Sequence, residues 1–198
     1  MSEKTFVTPA DHEVVPWKNG GGTTREVAIG EPRPGGGFTW RLSLANVAAA
    51  GPFSSFPGVD RTILLVSGDG MELRLDETPP RTVRVDRPFE PVRFAGETAT
   101  TCALLGGPVV DLNVMTERAL ATHTLEVVRE AGRRSVRVGD VGIVHALSGA
   151  VHVGADRLAE GETAIVRYHG CLSLAPSPGG AAAWIVIGPP LAGAATSD

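Results

Sequence analysis

Several polar residues sit where a strand-forming chain would place apolar ones. Trp17, Lys18 and Asn19 run into Gly20, Gly21 and Gly22. Arg41 and Ser43 share one face of an alternating stretch at 38–47. Arg61 opens the apolar run 62–66, and Asp111 and Asn113 share a face of the run 109–115. An arginine keeps its charge, and burying it without a partner is costly. Arg61 therefore either pairs with an acid, Asp60 or Asp111, or awaits an anion. If Arg41 and Ser43 face inward, then Lys18, Arg41 and Arg61 supply positive charge and forked donors, whose natural partner is a carboxylate. Asn19 and Ser43 would orient such a ligand, and Trp17 and Phe56 would wall it. Asp111 would steady an arginine or accept an N–H from an amide or imidazole. In the competing reading Asp60 and Asp111 merely neutralise Arg61 and Arg41, while the Arg41 and Ser43 face looks to water.

Other chemistries find less support. The five histidines include no His-x-His or His-x3-His pair. His145 and His152 only flank an expected turn, so no metal site is expected. There is no Gly-x-Ser-x-Gly, and neither cysteine has an identifiable base beside it. The triple glycine lacks the Gly-Lys-Ser/Thr ending of a phosphate loop, and no helix follows it. No cofactor is expected.

The elements that must position these residues are short strands. Among 198 residues, 25 glycines and 15 prolines punctuate periodic apolar runs, a pattern of many strands and tight turns rather than disorder. A net charge of −4 leaves no basic footprint for nucleic acid. No stretch reaches the roughly 20 apolar residues of a membrane span. Cys102 and Cys171 are read as reduced and buried in a cytoplasmic protein. The stretch 51–70 reads as a turn-rich lip, a buried strand and a Ser-Gly-Asp-Gly turn, with 71–75 as the returning arm of a hairpin. The same rhythm of strand, Ser-Gly turn and strand recurs at 144–153, which suggests a duplicated all-β unit. The second copy lacks a counterpart of Arg61 and of the glycine triplet, so one half is expected to carry the site and the other to be structural. One helical turn is admitted at 117–121.

The blocks PWKNGGGTTREV (16–27), FTWRLSLANV (38–47), GPFSSFPGVDRTILLVSGDGMEL (51–73) and GGPVVDLNVM (106–115) resemble the signature blocks of the HutD/Ves family. These are small bacterial proteins, some linked to histidine utilisation and others to environmental stress. The resemblance implies a bicupin, with two antiparallel β-barrels of jelly-roll type in one chain. The first barrel would span 1–118 with the ligand pocket, and the second, degenerate one 119–198, with N-terminal strands free to cross between them. Where a metal-binding cupin places its histidines and glutamate, this chain has Ser54, Phe56 and Arg61, with Gly68 closing the strand. The resemblance thus implies a metal-free, anion-binding cavity at Arg61. It further implies a governor of histidine utilisation that binds a pathway carboxylate such as urocanate or N-formylglutamate. Two alternatives stay open: a metal-independent enzyme using Asp111 as base, and a protein-interaction module. The expected partner is a small-molecule carboxylate, with a second copy of the chain as a further candidate; neither nucleic acid nor a membrane is expected.

Overall fold

The computed structural model describes residues 3–17, 20–32, 36–167 and 169–190. Over these residues the chain is all-β. Its strands are β1 (Lys4–Val7), β2 (Glu13–Pro16), β3 (Gly22–Ile29), β4 (Trp40–Val47), β5 (Gly51–Pro52) and β6 (Val59–Ser67). There follow β7 (Met71–Leu75), β8 (Arg81–Val85), β9 (Pro91–Ala95), β10 (Thr100–Leu104), β11 (Val109–Glu117), β12 (Thr122–Val128) and β13 (Gly132–Val136). The last are β14 (Val141–Ser148), β15 (Val151–Val153), β16 (Asp156–Leu158), β17 (Thr163–Val166), β18 (Gly170–Pro176) and β19 (Ala181–Gly188). The single turn admitted at 117–121 forms over residues 118–120 without becoming a helix, and Glu117 still belongs to β11.

The strands gather into two compact units. One is Glu13–Ala119, and the other combines Met1–His12 with Leu120–Asp198. The first strand therefore belongs to the C-terminal unit, where β1 pairs antiparallel with β17. In the unit Glu13–Ala119 the sheets run β2-β3-β4-β11-β6-β9 and β5-β10-β7-β8. In the other unit they run β1-β17-β14-β19-β12 and β13-β18-β15-β16. Setting β4 against β12, β11 against β19, β6 against β14 and β9 against β17 matches the order of four strands in the two long sheets, with β2, β3 and β1 left over. The short sheets correspond strand for strand. The repeat read from the Ser-Gly turns is thus a repeat of topology.

The hairpin expected at those turns does not form. Strand β6 has β11 on one edge and β9 on the other, so no free edge remains for β7. The chain instead leaves the six-stranded sheet and enters the four-stranded one, where β7 pairs with β10 and β8. Gly68 makes the corner with φ +101, and a Cβ there would lie 2.6 Å from the Pro108 carbonyl oxygen; only glycine meets both conditions. The core of this unit gathers Ile63, Leu65, Met71, Leu73, Leu75 and Val109, each fully buried apolar side chain contributing about 1.5–3 kcal/mol.

Candidate functional site

The register of three strands builds the site. Strand β11 lies between β4 and β6, and its residues pair in rows with side chains on a common face. Arg41, Met115 and Arg61 form one row, Ser43, Asn113 and Ile63 the next, and Ala45, Asp111 and Leu65 the third. Successive rows on one face are spaced roughly 7 Å apart. Arg41, Ser43, Arg61, Asp111 and Asn113 therefore face one cavity of about 630 Å³. Its further walls include Trp17, Phe53, Ser54, Ser55 and Phe56. The side of the strand that Arg41 and Ser43 take is inward.

Arg61 is not at the mouth of its strand, as its place before the run 62–66 suggested. The strand begins at Val59, and Arg61 is buried at 4% exposure. The guanidinium carbon lies 5.1 Å from the centroid of Phe94, 5.3 Å from that of Phe53 and 5.5 Å from that of Phe56. These separations are within the range at which an aromatic face attracts a cation. Its polar contacts are long: Nε donates to Asn113 Oδ1 at 3.4 Å and Nη1 to the Ser54 carbonyl at 3.5 Å. Burial lowers its pKa to about 10, with Arg41 adding to the effect and Asp111 opposing it, so it stays charged at neutral pH.

Neither acid named for Arg61 forms an ion pair with it among the described residues. Asp60 lies one residue away on the strand and takes the opposite face. It is engaged there by Arg93 and Arg118, each at 2.8 Å. Asp111 is fully buried and receives a long bond, 3.5 Å, from Asn113 Nδ2 on Oδ1, while Oδ2 has no hydrogen-bond partner. Burial pushes its carboxyl up to about 7, against the opposing pull of Arg61. Asn113 thus stands between Arg61 and Asp111, accepting from one and donating to the other. Arg41 is matched by a residue the sequence reading missed, Glu26, whose Oε2 lies 2.9 Å from Arg41 Nε.

The walls explain two other expected residues. Trp17 follows β2, and its indole Nε1 donates to Thr24 Oγ1 at 2.8 Å. Gly22 allows the close approach this needs: a Cβ there would meet the Asn46 carbonyl at 2.2 Å and the Trp17 ring at 3.1 Å. Phe56 closes the lip over Arg61. Lys18 and Asn19 lie outside the described residues. Phe53, Phe94, Asn113 and Glu26 complete the surroundings of the arginines. Asn113 was legible from its alternation with Asp111, and Phe53 belongs to the same lip as Phe56. Phe94 and Glu26 carry no local signal, because cross-strand pairing brings them in.

Cys102 is buried as expected, but Cys171 is exposed; both are free thiols. His145 is buried against Thr163 Oγ1 at 2.9 Å, whereas His152 takes the exposed position of β15. Among the described residues no three His, Cys, Asp or Glu side chains converge as metal ligands.

The other unit fills the corresponding positions of the same framework differently. Its pairs Gly142↔Val186, Val144↔Trp184 and Ala146↔Ala182 correspond to Arg61↔Met115, Ile63↔Asn113 and Leu65↔Asp111. Both ladders carry a register shift at the same step. Gly142 thus stands for Arg61, Trp184 for Asn113 and Ala182 for Asp111. A Cβ on Gly142 would lie 2.7 Å from the Trp184 ring. The indole covers the backbone position that corresponds to Arg61, and it joins an apolar core with Val136, Val144 and Ala182.

A duplicated all-β chain with a cationic, aromatic-walled cavity in one repeat can be placed among known proteins. The chain belongs to the HutD family, whose model matches residues 9–183. It is 40% identical over 115 residues to an uncharacterized 21.2 kDa protein in the hutC 3′ region of Pseudomonas putida, covering 58% of this chain and 59% of that relative. The matched stretch thus spans less than two thirds of that relative's length. It is 36% identical over 140 residues, 70% of each chain, to protein Ves of Citrobacter koseri. Among solved structures, HutD from Pseudomonas fluorescens SBW25 (formate condition) superposes with a TM-score of 0.84 at 28% identity, covering 94% of this chain and 99% of that one. No helix among the described residues is long and apolar enough to cross a membrane.

Proposed function

We propose that this chain is a small-molecule-binding bicupin whose unit Glu13–Ala119 captures a carboxylate metabolite, and that it acts as a governor of histidine utilisation. The observation that carries the reading is Arg61. It is a buried guanidinium facing a cavity of about 630 Å³, with long hydrogen bonds and no carboxylate at ion-pair distance among the described residues. A ligand carboxylate would supply the bidentate partner that the protein does not. Phenyl rings on the cavity wall would cover an unsaturated or aliphatic body, and Ser43 and Asn113 offer hydrogen bonds beside it. The topological repeat supports the two-barrel architecture. The hutC-region name of the Pseudomonas putida relative supports the pathway, and urocanate and N-formylglutamate are the carboxylates that pathway suggests. The formate condition of the Pseudomonas fluorescens structure involves the simplest carboxylate of all.

Calorimetry with urocanate, N-formylglutamate, glutamate and formate tests the proposal. Arg61→Ala is expected to weaken the tightest of these by roughly 10- to 100-fold, the scale of about 1.5–3 kcal/mol for a hydrogen-bonded charge. The ligand's stabilisation of the fold against heat should shrink in parallel. Equal affinity of wild type and variant for all four compounds would remove Arg61 from the site.

One observation favours a second reading, a metal-independent enzyme. Asp111 sits in the same cavity with its pKa raised to about 7 and one oxygen unpartnered, the condition of a general base working near neutrality. Turnover of any of these compounds that is lost in Asp111→Asn while binding persists would select it; binding without turnover would leave the first reading.

A further inference from the structure

Among the described residues Asp111 is the one buried carboxyl that lines the cavity. Its Oδ2 is sealed from solvent and meets no hydrogen-bond donor, while Oδ1 has only the 3.5 Å bond from Asn113. An ionised carboxylate held this way forgoes most of its solvation. A protonated carboxyl has an O–H to give instead.

The charges around it can be counted from each neighbouring strand. Strand β6 contributes Arg61, β4 contributes Arg41 beside the neutral Ser43, β3 contributes Glu26, β10 contributes Cys102, and β11 itself contributes the neutral Asn113. The Cys102 thiol is pushed up to about 11 by burial and by Asp111, so it is uncharged near neutrality. Arg41 and Glu26 cancel at 2.9 Å. Arg61 and an ionised Asp111 cancel as well. Over the described residues the cavity is then already neutral; Lys18 lies outside them. A monoanion entering would leave one uncompensated negative charge close to Asp111, in surroundings that screen far less than water.

We infer that the cavity takes its carboxylate together with one proton, which Asp111 holds. The inference rests on the carboxylate-binding reading above and adds its coupling to pH. In the binding step the Asp111 carboxylate gains a proton from solvent, forming one O–H bond. The neutral carboxyl no longer repels the ligand's charge, Arg61 keeps its charge opposite the ligand, and no other bond is made or broken. Asp111 therefore sets specificity: it admits an anion only when neutral, and when ionised it favours a ligand that carries its own N–H or cationic group.

Calorimetry in buffers of different ionisation enthalpy reads the proton count, with formate and N-formylglutamate as probes. For formate, a monoanion throughout, uptake should approach one proton by about pH 8, and affinity should fall up to about 10-fold per pH unit above about pH 7. Asp111→Asn, which is neutral at every pH, should bind without uptake and with affinity flat between about pH 6 and about pH 9. Wild-type binding with no uptake and a flat affinity would overturn the inference and leave the carboxylate reading standing. Undiminished uptake in Asp111→Asn would overturn it equally, by placing the proton elsewhere. Failure of both probes to bind at any pH removes the carboxylate reading and the inference with it.

Discussion

Arg61 owes its place to two kinds of neighbour that differ in cost. Three phenyl rings hold its guanidinium by their faces, and Asn113 and the Ser54 carbonyl hold its nitrogens at long distances. A lysine would keep the charge but lose the planar fork and the stacking. Arg61→Lys is therefore expected to retain weak carboxylate binding, about 10-fold poorer than wild type if one charge-assisted hydrogen bond is lost, with titration calorimetry as the measure. Full wild-type affinity in this variant would mean that charge alone, not the fork, does the binding. Much of this site was legible in the sequence. Arg41, Ser43 and Asp111 stood out because polar residues recurred on one parity of apolar strands, Arg61 because it is the last polar side chain before an apolar run, and Trp17 and Phe56 because they border turns. The partners were less legible. Asp60, the nearest acid in sequence, points the other way because neighbours on a strand take opposite faces. Glu26 and Phe94, far off in sequence, arrive through pairing registers that no local pattern encodes.

Strands and turns were read better than their pairing. The run 62–66 and the Ser-Gly-Asp-Gly turn are where the sequence reading put them, yet the turn joins two sheets rather than two arms of a hairpin. Turn chemistry reports a change of direction, and only the occupancy of the edges of β6 decides where the next strand goes. The same element in the repeat makes a quantitative expectation. Gly142 lies under the Trp184 indole, so Gly142→Ala forces a methyl into space already filled and should cost about 1–3 kcal/mol. Trp184→Ala, which empties that space, should cost about 3–5 kcal/mol. Denaturant titrations of the two variants check the pair. A tolerated alanine at 142 would mean that the indole is loosely seated and that this unit retains room for a ligand.

At the scale of the whole molecule, two buried titratable groups act on stability with opposite sign. Burial, helped by the neighbouring His12, lowers His145 to about 4 from its ordinary 6.5. Between those values the unfolded chain holds a proton that the folded one does not, so stability falls as pH drops from about 6.5 towards about 4. Asp111 is raised from 3.8 to about 7. Between those values the folded chain holds the extra proton, so stability falls as pH rises from about 4 towards about 7. Each slope is at most about 1.4 kcal/mol per pH unit, and over their shared window they offset. Wild type should therefore be nearly flat between about pH 4.5 and about pH 6.5. Asp111→Asn should lose stability on acidification, and His145→Gln should lose it on the way to neutrality. Chemical denaturation across that range decides, and parallel curves for all three proteins would sink the expectation. The tryptophans also divide unevenly over the chain. There are three; Trp40 and Trp184 are buried at 5% exposure each, while Trp17 alone lines the cavity. The molecule therefore carries its own optical reporter of occupancy. A ligand that dries the Trp17 indole should shift its emission to the blue, Trp17→Phe should abolish the shift, and a carboxylate could be recognised in a cuvette before its chemistry is known.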